Sequence, residues 1–154
     1  MTKIENILSE LYDALRGEDI ERFGTYLPND FSHMVYVPKA IHPLGGLCRG
    51  KAAVLERFAA VAQEFDLLRY DTSDLLIHGN RAALEIAAHY RHRATDIDIE
   101  TTIASFWTFE DGWPVKLDEY HDIDRVQAFT AKLAALNVAS GGSSGPIAAP
   151  GYPQ

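Results

Sequence analysis

Cysteine is almost absent from this chain, with Cys48 as its single example. One cysteine excludes an intramolecular disulfide and fits a reducing compartment. Residues 1–17 have acids scattered through an amphipathic pattern and lack the apolar core of a signal peptide. We therefore expect a cytoplasmic protein.

Long apolar runs and an excess of basic residues are missing as well. No run approaches the roughly 20 apolar residues that a membrane span needs. Lysine and arginine number 14 against 22 acids, giving a net charge of −8. Nucleic-acid phosphates demand a basic surface, and no basic stripe is visible. The sequence thus predicts neither a membrane nor a nucleic-acid partner.

Motifs for metals and nucleotides are also lacking. Residues 45–51 satisfy GxxxxGK, but Ala52 replaces the Ser/Thr that would hold magnesium. Cys48 has no identified base partner that would make it a nucleophile. His89 and His92 are three apart on a predicted strand and face opposite sides, so they cannot share a metal. We expect no metal and no cofactor.

Periodicity predicts helices over residues 4–17, 19–27, 51–65 and 122–136. Strands are predicted over residues 31–37, 67–78, 81–94, 99–110 and 113–121, with hairpin turns at Gly79-Asn80 and Asp111-Gly112. Residues 38–50 are interpreted as a loop, in which His42 and Pro43 could close over a pocket. Residues 1–136 form one predicted domain. Residues 137–154 form a Gly/Ser/Pro/Ala-rich tail of flexible composition.

The last predicted strand carries the most informative pattern. With a period of two, Leu117, Glu119 and His121 share one face. Ionisable groups avoid cores unless they are paired, so this face predicts a lined cavity. Burial near apolar walls is expected to raise the pKa of Glu119 into a range suited to acid–base chemistry.

The neighbouring strands add candidate cavity residues. Alternation over residues 81–93 places Tyr90 and His92 inside, and the next strand carries Ser105 and Trp107 on one face. The first strand presents either the His33 face or the Tyr36 face, and periodicity does not choose between them. Tyrosine and tryptophan suit a mostly apolar pocket because their rings have polar tips.

Three segments carry a family resemblance: LRGEDIERFGTYLPNDF, RGKAAVLERF and DGWPVKLDEYHDIDRVQAF. In this order they resemble the nuclear transport factor 2-like superfamily, more narrowly its SnoaL-like group, over about Ile4 to Leu136. The resemblance implies an α+β fold, in which a curved antiparallel sheet forms a cone-shaped barrel around the N-terminal helices. This superfamily hosts isomerases, hydrolases, cyclases, dehydratases and non-catalytic binders in one pocket.

The positions of ketosteroid isomerases carry over poorly. Their general-base aspartate precedes a proline at the end of the first strand, where this chain has Val37. Their second aspartate falls near Ser105, and their helix-borne tyrosine falls near Leu11, next to Tyr12. The resemblance therefore argues against steroid isomerisation by that mechanism.

Comparison with three other groups of the superfamily suggests roles for single residues of this chain. The Arg and first Asp of limonene epoxide hydrolases become Ile86 and Ala88, while their second Asp corresponds to Glu119. SnoaL-type cyclases use one acid/base carboxylate, which Glu119 could supply. His92 lies near a histidine position of scytalone dehydratase.

Together these observations predict a pocket for a small, mostly apolar, oxygenated organic molecule. Three hypotheses stay open: a cofactor-independent acid/base enzyme (isomerase, hydrolase, cyclase or dehydratase), a non-catalytic carrier or sensor, and an interaction module. A homodimer through the outer sheet face is expected, since that face is also partly apolar. The predicted catalytic residues are Glu119, His121, Tyr36 and His92; the predicted ligand-binding residues are His33, Tyr90, Trp107, Ser105, Leu117 and Tyr12.

Overall fold

The computed structural model describes residues 2–139, which form four helices and six strands. The predicted tail spans residues 137–154; its first three residues belong to the last helix, and residues 140–154 lie outside the described residues. The helices are α1 (Lys3–Arg16), α2 (Ile20–Gly24), α3 (Lys51–Glu64) and α4 (Ile123–Ala139). The strands are β1 (Ser32–Val35), β2 (Gly46–Arg49), β3 (Phe65–His78), β4 (Arg81–His92), β5 (Ile97–Glu110) and β6 (Trp113–His121).

The six strands form one curved sheet in the order β2-β1-β6-β5-β4-β3. The predicted α+β fold is confirmed, and the sheet is curved but does not close into a barrel. Four neighbouring pairs are antiparallel, of which the three pairs among β3–β6 were predicted, whereas β1 and β6 run parallel. Parallel pairing is possible here because the whole of β2–β5 lies between the two strands in the chain.

Both predicted hairpin turns are present, and their backbones explain the residue types. Asp111 and Gly112 both have positive φ, of 50° and 81°, which matches the tight turn that Asp-Gly favours between antiparallel strands. Gly79 also has a positive φ, of 58°. The strands that these turns join, β3 with β4 and β5 with β6, are consequently paired as predicted.

Strand β2 lies inside the segment that was interpreted as a loop. It spans four residues and pairs antiparallel with β1, matching His33 with Cys48. The strand starts at Gly46 and is followed by Gly50. Both residues have φ values above +90°, a conformation that favours glycine. The prediction of a loop was wrong here, since glycine and proline obscured a strand too short to show a period. Cys48 is fully buried.

Helices α1 and α2 fill one part of the concave side of the sheet. Leu11, Phe23, Phe31 and Trp107 are all fully buried in this core. Thr2 caps the start of helix α1, because its hydroxyl accepts a hydrogen bond from the backbone N–H of Glu5, and Gly17 caps the end of the helix as predicted. Within the described residues, no helix is long and apolar enough to cross a membrane.

Candidate functional site

A pocket of about 160 Å³ occupies the other part of the concave side. Its walls come from the inner faces of β1, β3, β4, β5 and β6, from α3 and α4, and from the loop between β1 and β2. Most of the lining is apolar, with Phe58, Val61, Ile103 and Phe129 among the larger side chains. Such a lining with a few polar groups is typical of sites for small organic molecules.

Glu119 lies at the polar end of this pocket between two histidines. The parallel pairing of β1 with β6 brings the inner faces of these strands together, with Val35 opposite Glu119. Nε2 of His33 is hydrogen-bonded to Oε1 of Glu119, and Nε2 of His121 is 3.6 Å from Oε2. The side chains of His33 and Glu119 are only 4% and 7% exposed, whereas that of His121 is 19% exposed. His121 is therefore the member of this trio that a ligand can reach most easily.

Arg57 supports the trio from helix α3. It is buried, and its Nη1 donates to the backbone carbonyl of Gly46 at 3.2 Å. The same Nη1 lies 3.4 Å from Nδ1 of His33. A guanidinium group only donates, so this contact favours the form of His33 whose proton is on Nε2, facing Glu119. Arg57 thereby orients the imidazole that holds the carboxylate.

The pKa of Glu119 is shifted in the direction opposite to the one expected. Burial by itself would raise it, but electrostatic attraction by His33, the close approach of His121 and hydrogen bonding with His33 lower the pKa well below its usual value. The sequence showed an acid on an apolar face, without the histidine that a strand 86 residues away supplies. Glu119 is consequently an ionised carboxylate rather than a proton donor near neutral pH.

His42 enters the pocket from the loop between β1 and β2. It is 8% exposed, and its Nδ1 accepts a hydrogen bond of 3.1 Å from the backbone N–H of Leu44. Burial, with a further contribution from the nearby His121, lowers the pKa of His42 to about 4. His42 is thus a neutral imidazole at physiological pH.

Two tyrosines line the pocket from β3 and β4. Tyr70 and Tyr90 lie in the pocket wall, and burial raises the pKa of both hydroxyls above the usual value. The buried hydroxyl of Thr101 on β5 is a further polar group of the wall. The phenols and the threonine hydroxyl are therefore neutral polar groups in an otherwise apolar wall.

Tyr36 lies on the opposite face of the sheet, outside the pocket. Its hydroxyl donates to Oδ1 of Asp118 at 3.1 Å, and its ring stacks on Tyr120 with centroids 4.2 Å apart. The choice that periodicity left open is therefore settled in favour of the His33 face. Placing Tyr36 among the catalytic residues is corrected, because its side chain cannot reach a ligand on the inner face.

Four other predicted residues lie in the part of the concave side that the N-terminal helices fill, namely Trp107, Ser105 and Leu117 on the inner face of the sheet and Tyr12 on α1. Nε1 of Trp107 donates to the hydroxyl of Tyr12 at 3.0 Å, and both rings are buried between α1 and the sheet. Ser105 and Leu117 are buried beside them and do not line the pocket. The alternation of apolar and polar residues along β5 and β6 predicted the correct face for the three strand residues. It does not indicate which part of that face the helices cover.

His92 does not line the pocket either. Its Nδ1 is 2.8 Å from the hydroxyl of Thr95, and its ring packs against the edge of Phe65. Of the ten predicted site residues, the structure brings four together in the pocket, namely Glu119, His121, His33 and Tyr90.

Sequence reasoning missed Arg57, Tyr70 and Thr101, and it gave His42 no chemical role. Arg57 is three residues after Val54 and four before Val61, within the apolar stripe of α3, so its position on that stripe was an available signal. Tyr70 pairs with Ala88, an inner-face residue of β4, but this register was not evident from the sequence. In residues 2–139, no group of three or more His, Cys, Asp or Glu side chains is placed to hold a metal ion.

Comparison with known proteins agrees with this architecture. The model of the SnoaL-like domain matches residues 8–117. The chain belongs to the SnoaL-like domain family. A search of curated protein sequences found no match.

Several solved structures are similar to this chain over most of its length. A proposed isomerase from Rhodopseudomonas palustris is 24% identical, with a TM-score of 0.70 over 84% of this chain and 97% of that one. An NTF2-like protein of unknown function from Burkholderia pseudomallei is 19% identical, with a TM-score of 0.71 over 80% and 94%. A proposed polyketide cyclase from Xanthomonas campestris is 16% identical, with a TM-score of 0.64 over 80% and 96%. At these identities the likeness shows the fold alone.

Proposed function

We propose that this SnoaL-like protein binds a small, mostly apolar organic molecule and transfers a proton on it without a cofactor. The observation that carries the proposal is a buried, ionised Glu119 held between two imidazoles at the polar end of an apolar pocket. An isolated carboxylate would be costly there, and its cost is offset by the two histidines. The histidines and the carboxylate together form a proton-transfer unit.

In this proposal His121 exchanges the proton and Glu119 orients it. Nε2 of His121 faces Glu119, so Nδ1 is the nitrogen that a ligand can approach. When Nδ1 takes a proton, the ring becomes an imidazolium whose charge the neighbouring carboxylate stabilises, as in other His–carboxylate pairs. Arg57 and His33 position Glu119. This assignment differs from the sequence-based hypothesis, in which Glu119 itself moved the proton.

A single group that takes and returns a proton is compatible with several reaction classes. Isomerisation, hydration, dehydration and cyclisation each need a proton removed from one atom and returned to another. The similar structures described as an isomerase and a polyketide cyclase belong to the same range of chemistry. A non-catalytic carrier is the second candidate, because a fully paired Glu119 could also serve only to shape a binding pocket.

The deciding experiment combines binding with proton exchange. A thermal-shift screen of small ketones, epoxides, lactones and phenols identifies molecules that stabilise the protein. Exchange of α-hydrogens for deuterium in the ketones that bind, followed by NMR in D₂O, then reports proton transfer without knowledge of the natural substrate. We expect exchange by the wild type and a loss of about 100-fold or more in His121→Gln and Glu119→Gln.

Asp118→Asn is the matched control, because Asp118 is the adjacent buried carboxylate on the opposite face of β6. It should leave exchange unchanged. Binding without exchange in the wild type would support the carrier instead. Stabilisation by no compound in the screen would contradict both functions.

We also propose that two copies of the chain pair through the outer sheet face. Phe106 and Tyr120 are 37% and 47% exposed there and pack edge to face, with Tyr36 stacked on Tyr120. A continuous exposed aromatic surface is typical of an interface.

In sedimentation velocity we expect a dimer for the wild type and a monomer for Tyr120→Glu. Leu76→Glu, at a 70% exposed residue of β3, is the control for a charge added elsewhere. A monomeric wild type would contradict this proposal.

A further inference from the structure

We infer that His42 presents its Nε2–H to an oxygen of the bound molecule, so that the pocket takes a carbonyl compound and holds its oxygen opposite the proton-transferring His121. This inference rests on the proposed function and deepens it by naming the chemical class of the ligand.

The tautomer of His42 follows from its backbone contact. The N–H of Leu44 can only donate, so Nδ1 of His42, 3.1 Å away, must be unprotonated and accept. A neutral imidazole then carries its single proton on Nε2. Low exposure of the ring favours this neutral form, in keeping with the lowered pKa.

The position of His42 makes this proton available to a ligand. His42, His121 and Glu119 all line the same pocket, and His42 is close enough to His121 for the charge of one to affect the other. A donor in an apolar wall has few alternative partners, so an acceptor oxygen on the ligand would satisfy it. A neutral donor also polarises a carbonyl without adding a full charge to the pocket.

The pair of histidines accounts for a complete proton transfer. His121 removes a proton from the carbon next to the carbonyl, forming an N–H bond as the C–H bond breaks. The electron pair moves to the carbonyl oxygen, where the N–H of His42 stabilises the enolate. His121 then returns the same proton to carbon, at the original or a conjugated position, so that no external oxidant or reductant is needed.

The size of the pocket restricts the ligand. Its volume of about 160 Å³ is close to that of engineered cavities of about 150 Å³ that hold a benzene molecule. A single six-membered ring with one carbonyl group therefore suits it. Cyclohexanone and methylenecyclohexane are matched probes, since they share a shape and differ in whether the exocyclic atom accepts a hydrogen bond.

The first measurement compares the affinities of the two probes by ligand-observed NMR. In the wild type we expect cyclohexanone to bind about 3- to 10-fold more tightly than methylenecyclohexane, which is the effect of one hydrogen bond. His42→Leu should abolish this preference while leaving the affinity for methylenecyclohexane similar. His42→Gln, whose side-chain amide can donate from a similar position, should restore part of it. His89→Gln, at a partly exposed histidine that contacts Asp98, is the control.

A second measurement on the wild type does not depend on how any variant folds. The ¹⁵N shifts of His42 should show a protonated Nε2 and an unprotonated Nδ1. The carbonyl stretch of bound ¹³C-labelled cyclohexanone should move to lower frequency than in hexane.

Equal binding of both probes with an unshifted carbonyl stretch would overturn the role of His42 but leave the pocket and its function standing. A proton on Nδ1 would overturn it too. If neither probe binds, the ligand site fails together with the proposed function.

Discussion

Asp118 and Glu119 are neighbours on β6 and point to opposite faces of the sheet. Both are nearly buried, with residue exposures of 7% and 5%. Asp118 accepts from the hydroxyl of Tyr36 and lies 3.5 Å from the ammonium group of Lys116. Glu119 instead lies between His33 and His121. The two carboxylates differ in their partners far more than in their burial.

The comparison shows that burial of an acid does not by itself indicate a functional site. On the outer face, the partners of Asp118 are a tyrosine and a lysine that exchange protons poorly near neutral pH. On the inner face, both partners of Glu119 are imidazoles, the side chain that most often serves in acid–base catalysis. The chemistry of the partners, and the presence of an adjoining pocket, distinguish the inner carboxylate.

The largest expected difference is in stability. Glu119→Ala removes the carboxylate that contacts His33 and His121, and removing one partner of a buried charged pair typically costs roughly 3–5 kcal/mol. Asp118→Ala should cost about 1 kcal/mol, as expected for the loss of one hydrogen bond. Urea unfolding of both variants at pH 7 measures these losses. Equal losses would show that the two faces are energetically equivalent.

The second prediction concerns acid pH and the inner face. Because the pKa of His42 falls from 6.5 to about 4 on folding, the unfolded chain binds its proton first as the pH is lowered. The free energy of unfolding should therefore fall by about 3 kcal/mol between pH 6.5 and 4. The lowered pKa of Glu119 adds a separate loss below pH 4.5. Unfolding as a function of pH measures both.

His42→Gln should remove most of the loss between pH 6.5 and 4 and leave the loss below pH 4.5; a smaller loss remains in the upper window because burial also lowers the pKa of His92. Asp118→Asn, on the outer face, should leave the difference between pH 6.5 and 4 as in the wild type. An unchanged profile in His42→Gln would mean that His42 is not the buried neutral group described above.

The third prediction tests the support of the inner trio by Arg57. Arg57→Gln removes the guanidinium that contacts His33 and the carbonyl of Gly46, at an expected cost of about 2 kcal/mol. Arg91→Gln, at an exposed ion pair with Asp98, should cost less than about 1 kcal/mol. Chemical unfolding compares the two. A cost for Arg57→Gln no larger than that for Arg91→Gln would argue against this role.

The smallest effect is expected on the outer face. A hydrogen bond with Tyr120, together with burial and the contact with Asp118, raises the pKa of Tyr36 to about 12. Because the unfolded chain loses this proton first, Tyr36 should lower stability only as the pH rises above 10. Tyr36→Phe should consequently leave the acid profile and the α-hydrogen exchange unchanged. Any loss of exchange in Tyr36→Phe would connect the outer face to the site.

Local patterns predicted most of the fold, and long-range pairing explains most of what they missed. The alternation of β4 and the turns at Gly79-Asn80 and Asp111-Gly112 are encoded within a few residues, so β3–β6 were placed correctly. Strand β2 is short and flanked by glycines, and the parallel pairing of β1 with β6 has no local signal. Glu119 and His121 were found because they share one strand.

The remaining errors in the site have the same origin. The lowered pKa of Glu119 depends on His33, which the sequence could not place beside it. Tyr36 and His33 could be distinguished only once the face of β1 was known. The tautomer of His42 depends on a hydrogen bond from the backbone of Leu44, two residues away in a loop without a period.

The pairing of the first strand with the last one also bears on how the protein folds. His33 and Glu119 are 86 residues apart, so their contact forms only after a long segment of chain has been closed. Contacts of such high sequence separation slow folding and make it cooperative. A ligand in the pocket that both residues line stabilises only the fully assembled chain. Binding to this pocket therefore raises the free energy of unfolding of the whole domain, and bound ligand reports that the first and last strands have been assembled.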